Sequence, residues 1–163
     1  MLSYPSLCLS SCSSTCAIIY YLAQNPAAQA ELHRILDEHL DGDAASTVDQ
    51  VKDIPYLDAC INEGLRLHST SSLGLPRLVP EEGLSVCGQN FRSGAVVSVP
   101  SFTIHRDRDV WGDDVEAYRP ERWFERDQNM IQKTFNPYSY GPRWVLSEYL
   151  HQPAKLMMIL EDV

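Results

Sequence analysis

No lysine or arginine precedes Arg34, no two cysteines stand as Cys-x-x-Cys, and no apolar run reaches the length of a bilayer core. The first absence removes the charged n-region of a secretory signal, so the apolar stretch Ala17 to Ala23 and the small-residue Ala28-Gln29-Ala30 are read as parts of the folded chain. The second argues against a zinc or iron–sulfur site. Cys8, Cys12 and Cys16 recur every fourth residue, which on a helix gathers them on one face, but no histidine stands near and they read as small buried residues. An odd total of five cysteines without paired spacing fits a reducing compartment. The third absence leaves no membrane-spanning helix. Basic residues are also scarce, 13 against 22 acidic, and the net charge of −9 argues against a reader of nucleic-acid backbone or of an anionic membrane surface.

What is present is the composition of one globular domain, 163 residues with 44% hydrophobic and 21% charged. Thr15 to Gln24 reads as the end of a helix. Asn25-Pro26 stops it and starts another, with Asn as N-cap and Pro at the first helical position, and a core stripe of Leu32, Ile35, Leu36 and Leu40. Asp41-Gly42-Asp43 closes that helix. Ile54-Pro55 opens a third by the same device, ending near Thr70, with Leu57, Ile61, Leu65 and His68 on one face and Glu63 and Arg66 a turn apart on another. Gly64 inside it implies close packing, since Gly costs roughly 1 kcal/mol relative to Ala in a helix. From Leu75 to Pro100 the period changes to two, and a small antiparallel hairpin is expected, with Gly88-Gln89-Asn90 between its strands, a second turn at Arg92-Ser93-Gly94, and prolines 76, 80 and 100 at edges or ends. Ser101 to Asp109 is helical or irregular, Trp111-Gly112-Asp113-Asp114 is a turn, and Tyr118 to Trp123 is an ordered meander. Tyr140-Gly141-Pro142 is a tight turn with the donor fork of Arg143 at its exit. The fold class is therefore mainly α with a small antiparallel β hairpin sheet.

Glu-x-x-Arg occurs three times, at Glu31/Arg34, Glu63/Arg66 and Glu116/Arg119, and an isolated pair of this kind is worth only a few tenths of a kcal/mol, about the value of a solvated helix pair. The succession of motifs after Glu63 sets it apart. A capped helix with Glu-x-x-Arg, a hairpin, His105-Arg106-Asp107, Trp111-Gly112, Pro120-Glu121-Arg122-Trp123, Phe135-Asn136-Pro137 and Tyr140-Gly141-Pro142-Arg143 together resemble the C-terminal part of a cytochrome P450, in its eukaryotic, fungal-looking branch. The likeness covers residues 15–143 of a single partial domain, and 144–163 form a divergent tail.

The resemblance implies a haem-thiolate monooxygenase, which inserts one atom of O2 into a small organic substrate with electrons from a reductase. It implies that Glu63, Arg66 and Arg122 form a buried structural triad that fixes the segment approaching the haem. It also implies that Arg143 pairs with a haem propionate, and that the hairpin, with Ser71, Ser72, Leu73 and Leu75, lines the substrate side. Family members of this type are usually anchored at the endoplasmic reticulum; no anchor is read here. In the family the cysteine two residues after this arginine ligates iron, and a Gly comes two residues later; this sequence has Val145 and Ser147 there. An isopropyl group has no lone pair to ligate iron. Nor can the acid–threonine pair of the oxygen-activating helix be read in residues 7–14. No residue is assigned a catalytic or metal-binding role, and the chain is expected to be an inactive fragment whose tail stems from a splice or frame error or a decayed gene, or else a haem-free remnant, either without function or acting as a binding module. With so little around them, the apolar faces at 26–40 and 55–69 are expected to lack packing partners.

Overall fold

Helices dominate because apolar residues recur at three and four and Asn-Pro and Ile-Pro break the chain between them. The computed structural model describes residues 5–40, 48–70 and 72–138. Helix α1 (Pro5–Gln24) runs into α2 (Pro26–His39), and the short α3 (Val48–Val51) leads to α4 (Pro55–Leu67). Pro26 and Pro55 stand in the first turns, where their missing N–H is unneeded. Asn25 departs from its expected role. Its amide turns back to donate to Tyr21 O at 2.7 Å, so it serves the end of α1 and makes no side-chain cap to α2.

Helix α4 is the centre of the molecule. Ten of its thirteen residues are buried, from Tyr56 to Leu67. Far from lacking partners, it packs Leu57, Cys60, Ile61 and Leu65 against Ile18, Leu32, Val51 and Ile54, while Ile35, Leu36 and Leu40 of the α2 segment close the edge. Each fully buried leucine, isoleucine or valine among them contributes about 1.5–3 kcal/mol when withdrawn from water. A Cβ on Gly64 would stand 2.8 Å from Ile18 Cγ1 and 3.1 Å from Ile18 Cα, so the glycine lets α1 and α4 touch backbone to side chain. The helix ends at Leu67, and His68 is an exposed cap residue, outside the core face. Cys16 is likewise exposed.

The expected single hairpin is two separate two-stranded pieces. β1 (Arg77–Leu78) pairs antiparallel with β4 (Val96–Val97), and β2 (Leu84–Val86) with β3 (Gln89–Phe91). The tip lies at Cys87-Gly88, where φ is 48° and 78°, and Gln89 and Asn90 belong to the returning strand. Two consecutive positive φ values give the turn that matches strand twist, and a non-glycine residue accepts the first at some strain.

Short helices α5 (Ser101–Ile104), α6 (Arg108–Trp111), α7 (Arg122–Glu125) and α8 (Gln128–Thr134) carry the meander. Asp107 and Asp127 cap α6 and α8, accepting from Asp109 N at 3.0 Å and Asn129 N at 2.9 Å. Trp111, Trp123, Val110, Val115 and Ile131 form a second core beside Ala59 of α4, with Phe135 packed against it. Among the described residues no helix is long and apolar enough to cross a membrane.

Candidate functional site

Glu63 and Arg66 lie on the face of α4 that meets the meander, one turn apart, and both are 0% exposed, as is Arg122. A charge so placed is stable only if every polar atom is answered. Glu63 Oε1 accepts from Arg66 Nη2 at 2.9 Å, Arg122 Nε at 2.8 Å and the Arg119 N–H at 3.1 Å. Its Oε2 accepts from Arg66 Nε at 3.0 Å and the Trp123 indole N–H at 3.0 Å. The remaining donors of Arg66 go to the carbonyls of His105, Val115 and Ala117. Those of Arg122 go to the carbonyls of Trp111, Asp114 and Ala117 and to Asp114 Oδ1 at 3.1 Å.

The structure thus brings Glu63, Arg66 and Arg122 together and adds three partners that the sequence did not single out: Trp123, the Arg119 amide and Asp114. Asp114 adds a second carboxylate, shared between Arg122 and Arg119, and Arg119 in turn bonds Glu125. Burial alone would raise the pKa of Asp114, but Arg122 and Arg119 outweigh that and hold its carboxyl below the ordinary value. The other two Glu-x-x-Arg pairs differ. Glu31 and Arg34 bond on the open face of α2, while Glu116 bonds Arg106.

The network borders the segment Phe135 to Tyr138. His105, fully buried, accepts the Asn136 N–H at Nε2, 3.0 Å, and its Nδ1 lies 3.2 Å from Arg66 O. An amide N–H only donates, so Nε2 is bare and Nδ1 carries the proton. Burial, with Arg66 and Arg106 nearby, lowers the pKa to about 4. The Ser101 hydroxyl donates to Asn136 O at 3.0 Å and that of Ser69 to Pro137 O at 2.7 Å. The Phe135 ring packs edge-on to Trp123 at 4.8 Å and against His105 at 5.3 Å. Arg143, Val145 and the turn at 140–142 lie outside the described residues, as does Ser71.

Leu75, Val97, Val99 and Ile104 wall an apolar groove of about 500 Å³ that also reaches Arg77 and Asn136. Ser72 donates to Ser69 O, and Leu73 is 84% exposed, so neither lines it.

The fold and this network define the class: a mainly α scaffold with small antiparallel sheets, organised around a buried carboxylate and two guanidiniums. The sequence profile of the family described as Cytochrome P450 matches residues 10–144, and the chain belongs to that family. A benzoate 4-monooxygenase of Aspergillus niger is 44% identical over 135 residues, covering 80% of this chain and 26% of that protein. A cytochrome P450 monooxygenase of Emericella nidulans is 38% identical over 115 residues, 69% of this chain and 23% of its own. A pisatin demethylase of Fusarium vanettenii is 38% identical over 114 residues, 70% and 22%. The chain therefore spans about a quarter of the length of these relatives.

The family's cofactor is haem, held by a cysteine thiolate. The donors described here do not fit that demand. Cys60 is buried on the core face of α4 and burial pushes its thiol up to about 12, far from a thiolate. Cys87 is at the exposed hairpin tip and Cys16 on α1. Both nitrogens of His105 are engaged, and among the described residues no three His, Cys, Asp or Glu side chains gather as a metal site.

Proposed function

We propose that residues 15–143 are the loop-bearing scaffold of a haem-thiolate monooxygenase, and that this chain, with Val145 at the axial position, does not itself perform the reaction. The complete enzyme would insert one oxygen atom from O2 into a small organic substrate, drawing electrons from a reductase, and would sit at the endoplasmic reticulum membrane as such family members usually do. One observation carries the reading: a fully buried Glu63 joined to Arg66 and Arg122, with the segment 135–138 bonded alongside. Such a network holds the backbone of Phe135 to Tyr138 rigidly, just ahead of residues 139–143 in the sequence. Arg143 would meet a haem propionate there, a pairing that its planar fork suits. Val145 offers iron no lone pair, so no oxygen-activating step is assigned to this chain.

The test is spectroscopic. Purified protein supplied with haem, reduced and exposed to CO is expected to lack the red-shifted Soret band of thiolate-ligated iron; its appearance would overturn the assignment of inactivity. Genomic DNA downstream of the Arg143 codon is expected to encode Cys-x-Gly in one of its three frames, and absence from all three would remove the gene-structure explanation of the tail.

A further inference from the structure

The imidazole of His105 is a rigid ring with one donor and one acceptor on separate edges, and here the two edges face two different elements. The proton-bearing edge meets the carbonyl of Arg66, in the last turn of α4, at 3.2 Å. The bare edge meets the amide of Asn136 at 3.0 Å. Trp111 and Phe135 rings pack on it at 6.1 and 5.3 Å, and the residue is closed to solvent.

We propose that His105 is a positioning residue: as the neutral Nδ1–H tautomer it ties the end of α4 to the backbone of Asn136, and so fixes the path of the segment Phe135 to Tyr138. The tie does not depend on the function proposed above. Ser101 and Ser69 hold the carbonyls of Asn136 and Pro137, so His105 adds a hold on an N–H to two holds on C=O groups. The charged groups facing the ring are the guanidiniums of Arg66 and Arg106, while Glu63 is bonded to Arg66 and its neighbours. A second ring proton would thus meet positive charge, and would aim an N–H at an N–H. No other uncharged side chain offers a donor and an acceptor in this rigid, opposed arrangement.

The test uses the full chain, labelled with 15N. Long-range ring correlations are expected to show a bare Nε2 and a protonated Nδ1 at neutral pH. His105→Asn keeps an amide donor near Arg66 O but cannot reach Asn136. It is expected to speed hydrogen exchange at the Asn136 amide by on the order of five- to tenfold while leaving the amides of α4 unchanged. A protonated Nε2 in the wild-type chain would overturn the proposal, whether or not the variant folds. So would unchanged Asn136 exchange in a folded variant. Neither readout involves haem, so a failed haem assignment and a failed tie are told apart.

Discussion

Glu63 concentrates more of the molecule's order than any other side chain described. Its carboxylate answers Arg66, Arg122, Trp123 and the Arg119 amide, and Glu63→Gln would leave buried Arg66 facing no carboxylate and buried Arg122 facing only Asp114. The expected loss is about 3–5 kcal/mol, enough to unfold a marginal chain; urea unfolding showing less than about 1 kcal/mol would contradict it. Two other residues oppose each other as pH changes. Burial, reinforced by Asp53, raises Asp58 to about 6, and its Oδ1 has no hydrogen-bond partner. Its folded pKa lies above the unfolded value, so the native state is favoured at low pH and the advantage is lost as pH rises through about 6. His105 runs the other way: with a folded pKa of about 4, its contribution is present above about 6.5 and is lost as pH falls toward 4. Asp58→Asn is therefore expected to stabilise at pH 7 by roughly 1 kcal/mol. It should also leave a stability profile that only falls on acidification from pH 7, and a variant curve still rising between pH 6 and 5 would refute the pairing.

Among the elements, α2 and α4 were readable because Asn-Pro and Ile-Pro are local chemistry, whatever the chain does elsewhere. The turn sits at Cys87-Gly88 and not at Gly88-Gln89-Asn90, a difference the pattern hides because β2 and β3 are almost wholly exposed, so alternation carries no strong burial signal and register rests on the turn alone. Helix α8 carries no apolar period that would mark it, although Asp127 caps it, since only Ile131 of its seven residues is buried. The bonds of Glu63 to Trp123 and to the Arg119 amide were invisible for another reason. They join residues 60 and 56 apart, which no spacing rule reports. Gly64 was the most informative single residue for packing. Gly64→Ala should gain helix propensity of roughly 1 kcal/mol yet lose more through the collision with Ile18, a net loss of about 1–2 kcal/mol. Ile18→Val in the same chain should not add its own separate cost in full, because both changes act on one contact. Strict additivity in a double-mutant cycle would disprove that contact.

Taken as a whole, the described chain has three apolar clusters under its helices and an uncovered apolar sheet. Leu78 and Val96, cross-strand partners, are 71% and 67% exposed, and Val99 is 60% exposed. The shortage of packing falls on the sheet, not on α4. Self-association and binding of a hydrophobic dye are expected, and Leu78→Lys with Val96→Glu should reduce both without lowering helicity. A concentration-independent monomer that binds no dye would count against this.

The carboxylate of Glu63 also sets an order of events in time. Its bond to Arg66 spans three residues and can form with the helix, but its bond to Arg122 closes a stretch of 59. Until that stretch closes, helix α4 carries a half-answered charge on a face that the native chain hides, and water must stay. Closing long stretches is the slow part of folding. On the ribosome, α4 therefore emerges well before Arg122 and waits, wet and apolar, for residues made later. That interval is when a chaperone would be most needed, and it is fixed by the distance along the chain between one glutamate and one arginine.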